Sequence, residues 1–391
     1  MDMHADVIVI GAGIVGLAHA LAAAEQGCSV IVVERDDRAV GASIRNFGSI
    51  WPIGQFHGDD DSDYDRGCRG ADVWRRVARD TGMWCADTGS LHVARHPDEL
   101  AVLQEFLART PAAVDRGARL VDPAEVARLS PAVRTSGVLG GMFSPTELNV
   151  DPVVGIPTVA RWLAERHGVR FRWGTLVRRI EHPTVVTTAG TLHAERVYVC
   201  SGADFQTLYP ERLGADVVRK CKLQMLRTEP QPDGWALGPT LCAGLTLLHY
   251  SSFAHLASLP ALRERLDAEL PFHREHGIHI LATQTARGGI TIGDSHAYDR
   301  TVDPFESAAV FDAILDYFDG FIRLPHRRIE EYWHGVYPSL LDGRPHLVAE
   351  PEPGVRLVNG LGGAGMTLSF GLAQDHLADR IAPEHVLAPA G

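Results

Sequence analysis

Three stretches of the chain run apolar and end at a glycine turn: Asp6-Val-Ile-Val-Ile-Gly11, Arg196-Val-Tyr-Val-Cys200-Ser-Gly202 and Val355-Arg-Leu-Val-Asn359-Gly360. Short apolar runs bounded by glycine predict buried strands. After the first comes an alanine-rich stretch that predicts a helix, then Cys28-Ser-Val-Ile-Val-Val-Glu34, a second strand. The third is likewise followed by a glycine turn and a helical stretch through Ala373. Between these units the pattern varies. Residues 66–82 place Ala71, Val73, Trp74, Val77 and Ala78 at helical spacing before Gly82. Residues 88–94 read as a short strand. Residues 97–116 read as one helix, with Leu100, Leu103, Phe106 and Leu107 on one face. Asp122, Pro123 and Glu125 suit the start of a short helix. The glycine-rich stretch 138–150 predicts a hairpin, and Asp151-Pro152 opens a helix to about His167. Apolar residues alternate over 169–180, and 185–188 pairs with 191–194 around Ala189-Gly190. From Lys220 onward, 222–227, 245–251, 278–283 and 289–293 predict strands of one antiparallel sheet, and 305–318 a helix. The fold class is α/β, α+β overall.

Composition narrows the field. The chain has 391 residues, enough for one large or two ordinary domains. Its net charge of −12 argues against a nucleic-acid surface. Six cysteines without a C-x-x-C spacing suit reduced thiols and a cytoplasmic protein. The apolar stretch Val7–Ala24 approaches membrane-spanning length. Its glycines and His19 fit strand, turn and helix better, so no span is expected. A fingerprint beginning at residue 6 leaves no room for a signal peptide.

Gly11, Gly13 and Gly16 form G-x-G-x-x-G inside a βαβ unit, each with a physical task. Gly11 permits the tight turn, Gly13 lets a pyrophosphate approach the backbone, and Gly16 lets the helix lie close on the sheet. The helix N-terminus offers unpaired N–H groups to that pyrophosphate. Glu34, at the next strand end, can accept both hydroxyls of an adenosine ribose. A dinucleotide site is therefore expected here.

The loop that follows, Gly41-Ala-Ser43-Ile-Arg45-Asn46-Phe47-Gly48, resembles that of the D-amino acid oxidase superfamily of FAD oxidoreductases, which includes glycine and sarcosine oxidases. Trp333-His-Gly335-Val-Tyr-Pro338 with Asp342-Gly-Arg-Pro345 is similar to the same superfamily's W-x-G-x-x-P…D-G-x-P segment. The resemblance implies a Rossmann-like FAD domain of the glutathione-reductase type plus an antiparallel-sheet substrate domain. It assigns 1–85, 140–219 and 325–391 to the first, and 86–139 and 220–324 to a roof over the flavin. The implied FAD contacts are Gly11, Gly13, Ile14, Val15, Gly16, Glu34, Arg35, Ala42, Ser43, Arg45, Asn46, Val177, Ser201, Gly202 and Gly335. Gly362, Gly363, Ala364, Gly365, Met366 and Thr367 complete them, at a helix N-terminus facing the flavin ring. Gly335 matches the position of the tethering cysteine found in some relatives, so the FAD is expected to be non-covalent.

Gly-Ala-Ser-Ile-Arg-Asn-Phe-Gly-x-Ile-Trp-Pro-Ile-Gly-Gln55, taken with Ala282-Thr-Gln284 and Gly293-Asp-Ser-His296-x-Tyr298, most resembles a narrower group. These are FAD oxidoreductases associated with phosphonate catabolism, which act on aminoalkylphosphonates. The implied reaction is C–N oxidation of a small anionic amine, with Arg45, Asn46, Gln284 and His279 as catalytic candidates. Gln55, Tyr250, His279, Gln284, His296 and Tyr337 are the substrate-binding candidates, because a phosphonate dianion needs several donors. Arg227 and Arg287 are candidates for a roof cation. The oxidases' oxygen-activating lysine pairs with Thr291 here, which leaves O2 or another acceptor open. Two alternatives remain: amino acid or 2-hydroxy acid oxidation, and a flavoprotein that turns nothing over. A monomer or homodimer is expected. His273-x-x-His276-x-x-His279 lacks a clear helix or a carboxylate pattern, so no metal is expected. The acidic run from Asp59 to Asp63 reads as a solvated loop.

Overall fold

The computed structural model describes residues 3–58 and 60–381, which places Asp59 outside the described residues. Two large sheets carry the architecture, one of eight strands and one of nine. In the first, Met3–Ile10 lies parallel between Val30–Val33 and Gly190–Val199. Arg170–Arg172 extends one side of this sheet and Val355–Asn359 the other, both parallel to their neighbours. The three glycine-ended strands of the sequence thus lie side by side. They end at one edge of the sheet, where ligands of open α/β sheets bind.

The fingerprint helix, Ile14–Glu25, packs on this sheet through Gly16. A Cβ there would sit 1.9 Å from the Gly11 carbonyl oxygen, so only hydrogen fits. Gly11 itself has φ +102°, a conformation that favours glycine. The closing helix, Gly365–Leu377, lies against both the fingerprint helix and the helix Ser62–Thr81. Two polar links fix these neighbours. His19 Nδ1 donates to the Val15 carbonyl at 2.7 Å, so its Nε2 accepts from His376 Nδ1 at 2.8 Å. Asp375 receives Arg66 and Arg69, each at 2.9 Å.

The nine-stranded sheet is built around Val218–Thr228, which pairs along its length with Ile329–Leu340 and on its other side with Ile290–Gly293. Several elements depart from the sequence reading. Leu245–Ser251 is not a strand; Gly244–His249 is a short helix. The helix expected over 97–116 breaks at Thr110, because Pro111 disfavours helical backbone at the residue before it. Residues 169–180 form two strands separated by a turn at Gly174, where φ is +62°. The acidic run is only partly solvated: Asp63 is 2% exposed and bonds Arg66 at 2.6 Å.

Candidate active site

A single cavity of about 840 Å³ runs from the ends of the parallel strands to the underside of the nine-stranded sheet. At the strand end, Glu34 is held by two backbone amides, Ala12 N–H at 2.8 Å on Oε2 and Asp36 N–H at 3.1 Å on Oε1. Ser43 Oγ accepts from Ile14 N–H at 2.9 Å and ties the following loop to the helix N-terminus. The first turn of that helix carries no acidic side chain. A Cβ added at Gly13 meets one described atom, Ser43 Oγ at 3.1 Å, and otherwise projects toward the cavity. This is a cradle for an anionic dinucleotide, with the glycine surface a pyrophosphate needs and a fixed acid for a ribose.

Nineteen of the expected cofactor positions line this cavity: Gly11, Gly13, Ile14, Val15, Glu34, Arg35, Ala42, Ser43, Arg45, Asn46, Val177, Ser201, Gly202, Gly335, Gly362, Gly363, Ala364, Gly365 and Met366. Gly16 and Thr367 lie behind it. Gly16 serves packing, and Thr367 Oγ1 turns inward to accept the Trp51 N–H at 2.8 Å.

At the opposite end the cavity is lined by the candidates Gln55, Tyr250, His279, His296 and Tyr337, together with His57, His249 and Asp294. Arg45 also faces the cavity, and no hydrogen bond or ion pair of its guanidinium occurs among the described residues. Two catalytic candidates are corrected. Gln284 is outside the cavity: its Oε1 accepts the Leu237 N–H at 2.9 Å and its amide donates to the Trp235 and Gly288 carbonyls. It therefore holds a loop. Asn46 lines the cavity, but its amide donates to the Ala42 and Ser43 carbonyls and accepts from Gly48 N–H, closing its own turn. Neither roof arginine reaches the cavity. Arg227 pairs with Glu331 at 2.7 Å, bonds Thr291 and lies over Trp333; Arg287 is exposed.

The family profile of the FAD dependent oxidoreductases, DAO, matches residues 6–380. The chain belongs to this family. The DAO-family chain is 29% identical over 191 residues to glycerol-3-phosphate dehydrogenase 1 of Mycobacterium tuberculosis, covering 42% of this chain and 34% of that protein. It is 27% identical over 239 residues to D-amino acid dehydrogenase of Cereibacter sphaeroides, covering 59% and 47%. The chain thus spans less than half the length of these curated relatives. The fold is similar to glycine oxidase from Geobacillus kaustophilus, with a TM-score of 0.74, 19% identity, and 99% and 98% of the two chains covered. The FAD of the family fits the cradle described above.

In this DAO-family protein, the far wall of the cavity is dominated by imidazoles. His249 and His279 stack with ring centres 3.9 Å apart, and His296 lies 4.3 Å from His249. His249 opens to the cavity yet is ringed by Tyr250, His279 and His296. Burial lowers His296, with Asp294 opposing. Burial raises the Tyr250 and Tyr337 hydroxyls, so both stay protonated donors.

His249 carried no sequence signal, and Asp294 entered the sequence reading only within the Gly293–Tyr298 segment, without a role. His249 falls in a segment whose apolar run reads as a strand, and it is remote in sequence from His279 and His296. The sheet pairing of Leu281–Gln284 with Ile290–Gly293 brings the last two together. The H-x-x-H-x-x-H run itself disperses: His273 bonds the Ala313 carbonyl and His276 packs on Phe272.

Proposed function

We propose that this protein oxidises the C–N bond of a small anionic amine, an N-alkylated aminoalkylphosphonate such as N-methyl-2-aminoethylphosphonate, with non-covalent FAD as hydride acceptor. The supporting observation is the cavity itself, continuous from a dinucleotide cradle to a polar wall of Gln55, Tyr250, His279, His296 and Tyr337. Bound FAD would lie along the cradle, its ribose on Glu34, its diphosphate on Gly11 to Val15 with Ser43, and its adenosine near Val177, Ser201 and Gly202. Its ring would lie by Arg45, Gly335 and the residues 362–366, where a helix N-terminus favours the charge of the reduced form. The flavin supplies the two-electron acceptor.

The chain supplies orientation and proton placement. The polar wall and Arg45 receive the anionic group, which aims the amine's carbon at the ring. An amine reacts with its lone pair free, so the ammonium must lose a proton first. The hydride then leaves that carbon with its electron pair, and the imine hydrolyses to a carbonyl compound and a smaller amine. O2 or another acceptor afterwards takes the two electrons. The protein is proposed to work in the cytoplasm, as a monomer or homodimer.

The relatives bear on the substrate. One is named for a phosphate ester and one for D-amino acids. The first favours a phosphonate-sized anion. The second favours the other reading, oxidation of a D-amino acid, glycine or sarcosine. Anaerobic mixing of the FAD-loaded protein with matched amines, bearing phosphonate, carboxylate or neither, separates them. Loss of the flavin's visible absorption with N-methyl-2-aminoethylphosphonate, with formaldehyde or an aldehyde as product, supports the first reading. Bleaching by amino acids alone, giving a keto acid, replaces it with the second. No bleaching by any of them leaves a flavoprotein without this activity.

A further inference from the structure

We propose that His249, His279 and His296 form a binding site for one zinc-class divalent metal ion at the end of the flavin cavity. Three observations carry this. First, one ring nitrogen from each lies within 4.8 Å of the others. Three imidazoles with an open fourth position are a donor set that zinc favours at sites open to substrate.

Second, the outer partners leave lone pairs free. His296 Nδ1 sits 2.9 Å from the Gly277 carbonyl, which can only accept, so that nitrogen carries the proton and Nε2 keeps its lone pair. His279 Nε2 lies 3.1 Å from Asp294 Oδ1, near enough for the carboxylate to favour a proton on that nitrogen although the two are not aligned as a hydrogen bond. Carbonyl and carboxylate partners on the non-ligating nitrogen are what metal-binding histidines carry. The pair is fixed by backbone as well, with Asp294 N–H on the His279 carbonyl at 2.7 Å and the reverse bond at 3.1 Å.

Third, the protein leaves this cluster unsatisfied. His279 Nδ1 is buried without a hydrogen-bond partner, and Asp294 Oδ1 has no well-aligned donor despite being 3% exposed as a residue. A buried carboxylate oxygen without an aligned donor is costly, and a dication beside it offsets that cost. Nitrogens about 2.0–2.1 Å from one tetrahedral ion lie roughly 3.4 Å apart. The set must therefore contract. His249, on the cavity side and with no hydrogen bond among the described residues, is the ring free to turn inward.

The open position faces the cavity. If the substrate is the anionic amine proposed above, its phosphonate oxygen would complete the coordination, and that fourth ligand rests on the substrate reading. The ion itself does not, and its test requires no turnover. FAD-loaded, metal-stripped protein is titrated with zinc chloride by calorimetry, and dialysed samples are assayed for metal by mass spectrometry. The expected result is one zinc per chain, with His249→Ala weakening binding at least a hundredfold and His276→Ala leaving it unchanged. Cobalt substitution should give visible bands that His249→Ala abolishes. Visible absorption of bound flavin reports that each variant is folded. No zinc above the His249→Ala level, or zinc that both His249→Ala and His296→Ala retain in full, overturns the proposal. Zinc binding without amine oxidation would refute the substrate reading alone, and oxidation without zinc binding would refute the metal site alone.

Discussion

The two ends of the cavity recognise their ligands by different means. At the strand end, the groups that face inward are mostly main chain: glycine surfaces, a helix N-terminus, and one acid pinned by two amides. At the far end they are side chains, drawn from segments remote in sequence: Gln55, Tyr250, His249, His279, His296. Backbone recognition demands local geometry, and local geometry leaves a local sequence pattern. Side-chain recognition demands convergence of residues from separate segments, and convergence leaves no contiguous sequence pattern.

Substitutions can separate the two ends. The largest effect is expected at Gly13, where valine branches would project into the space left for a diphosphate. Gly13→Val should purify without bound flavin; a yellow protein with full flavin content would contradict the cradle. Asp375 shapes the cradle from behind by receiving two arginines, and side-chain contacts leave it 5% exposed. Asp375→Asn removes the carboxylate that Arg66 and Arg69 share while leaving them Asp63 and Asp65, and should cost about 2 kcal/mol in chemical denaturation, the scale of lost hydrogen bonds to a charged group.

Acid should weaken the same region. Burial holds His19 down to about 4 and His376 down to about 2, against an ordinary 6.5. Between pH 6.5 and 4 the unfolded chain binds protons that the folded one refuses, so stability is full above 6.5 and falls as pH drops. The melting temperature measured across that range should decline, and His19→Leu should flatten its slope. A slope unchanged by that substitution would assign the acid sensitivity elsewhere.

At the far end a smaller, kinetic change is expected. Arg45→Ala should lower kcat/KM at least tenfold, about 1.4 kcal/mol, with flavin retained. Unchanged kinetics would remove Arg45 from the reacting zone. Gln284→Ala is the control: its amide supports a loop, so turnover should stay within about twofold while stability drops by about 1 kcal/mol.

The legibility of the chain follows the same division. The fingerprint, the serine loop and the closing glycine turn were readable because each is a contiguous pattern with one structural solution. Two errors within these patterns are instructive. Thr367 sits in the closing turn, but the helix rotates its hydroxyl away from the cavity to the Trp51 amide. Asn46 faces the cavity, yet its amide is consumed by its own turn. Position in a motif fixes the backbone but not what the side chain faces. In the roof, Leu245–His249 reads as a strand from its short apolar run and forms a helix, because a run this short carries no decisive period and its three leucines favour helix. Gln284 was misplaced because strand residues alternate faces, and one residue decides whether an amide meets substrate or scaffold.

The closing helix has a consequence for biosynthesis. Its residues 365 and 366 and the turn before it line the cavity, and its body lies against helices made from residues 14–25 and 62–81. A nascent chain therefore carries the phosphate-gripping turn at residues 11–16 without its opposing wall until residues 362–366 have been made. Flavin capture waits on that late segment, and chains truncated before it should stay colourless even though their fingerprint is intact.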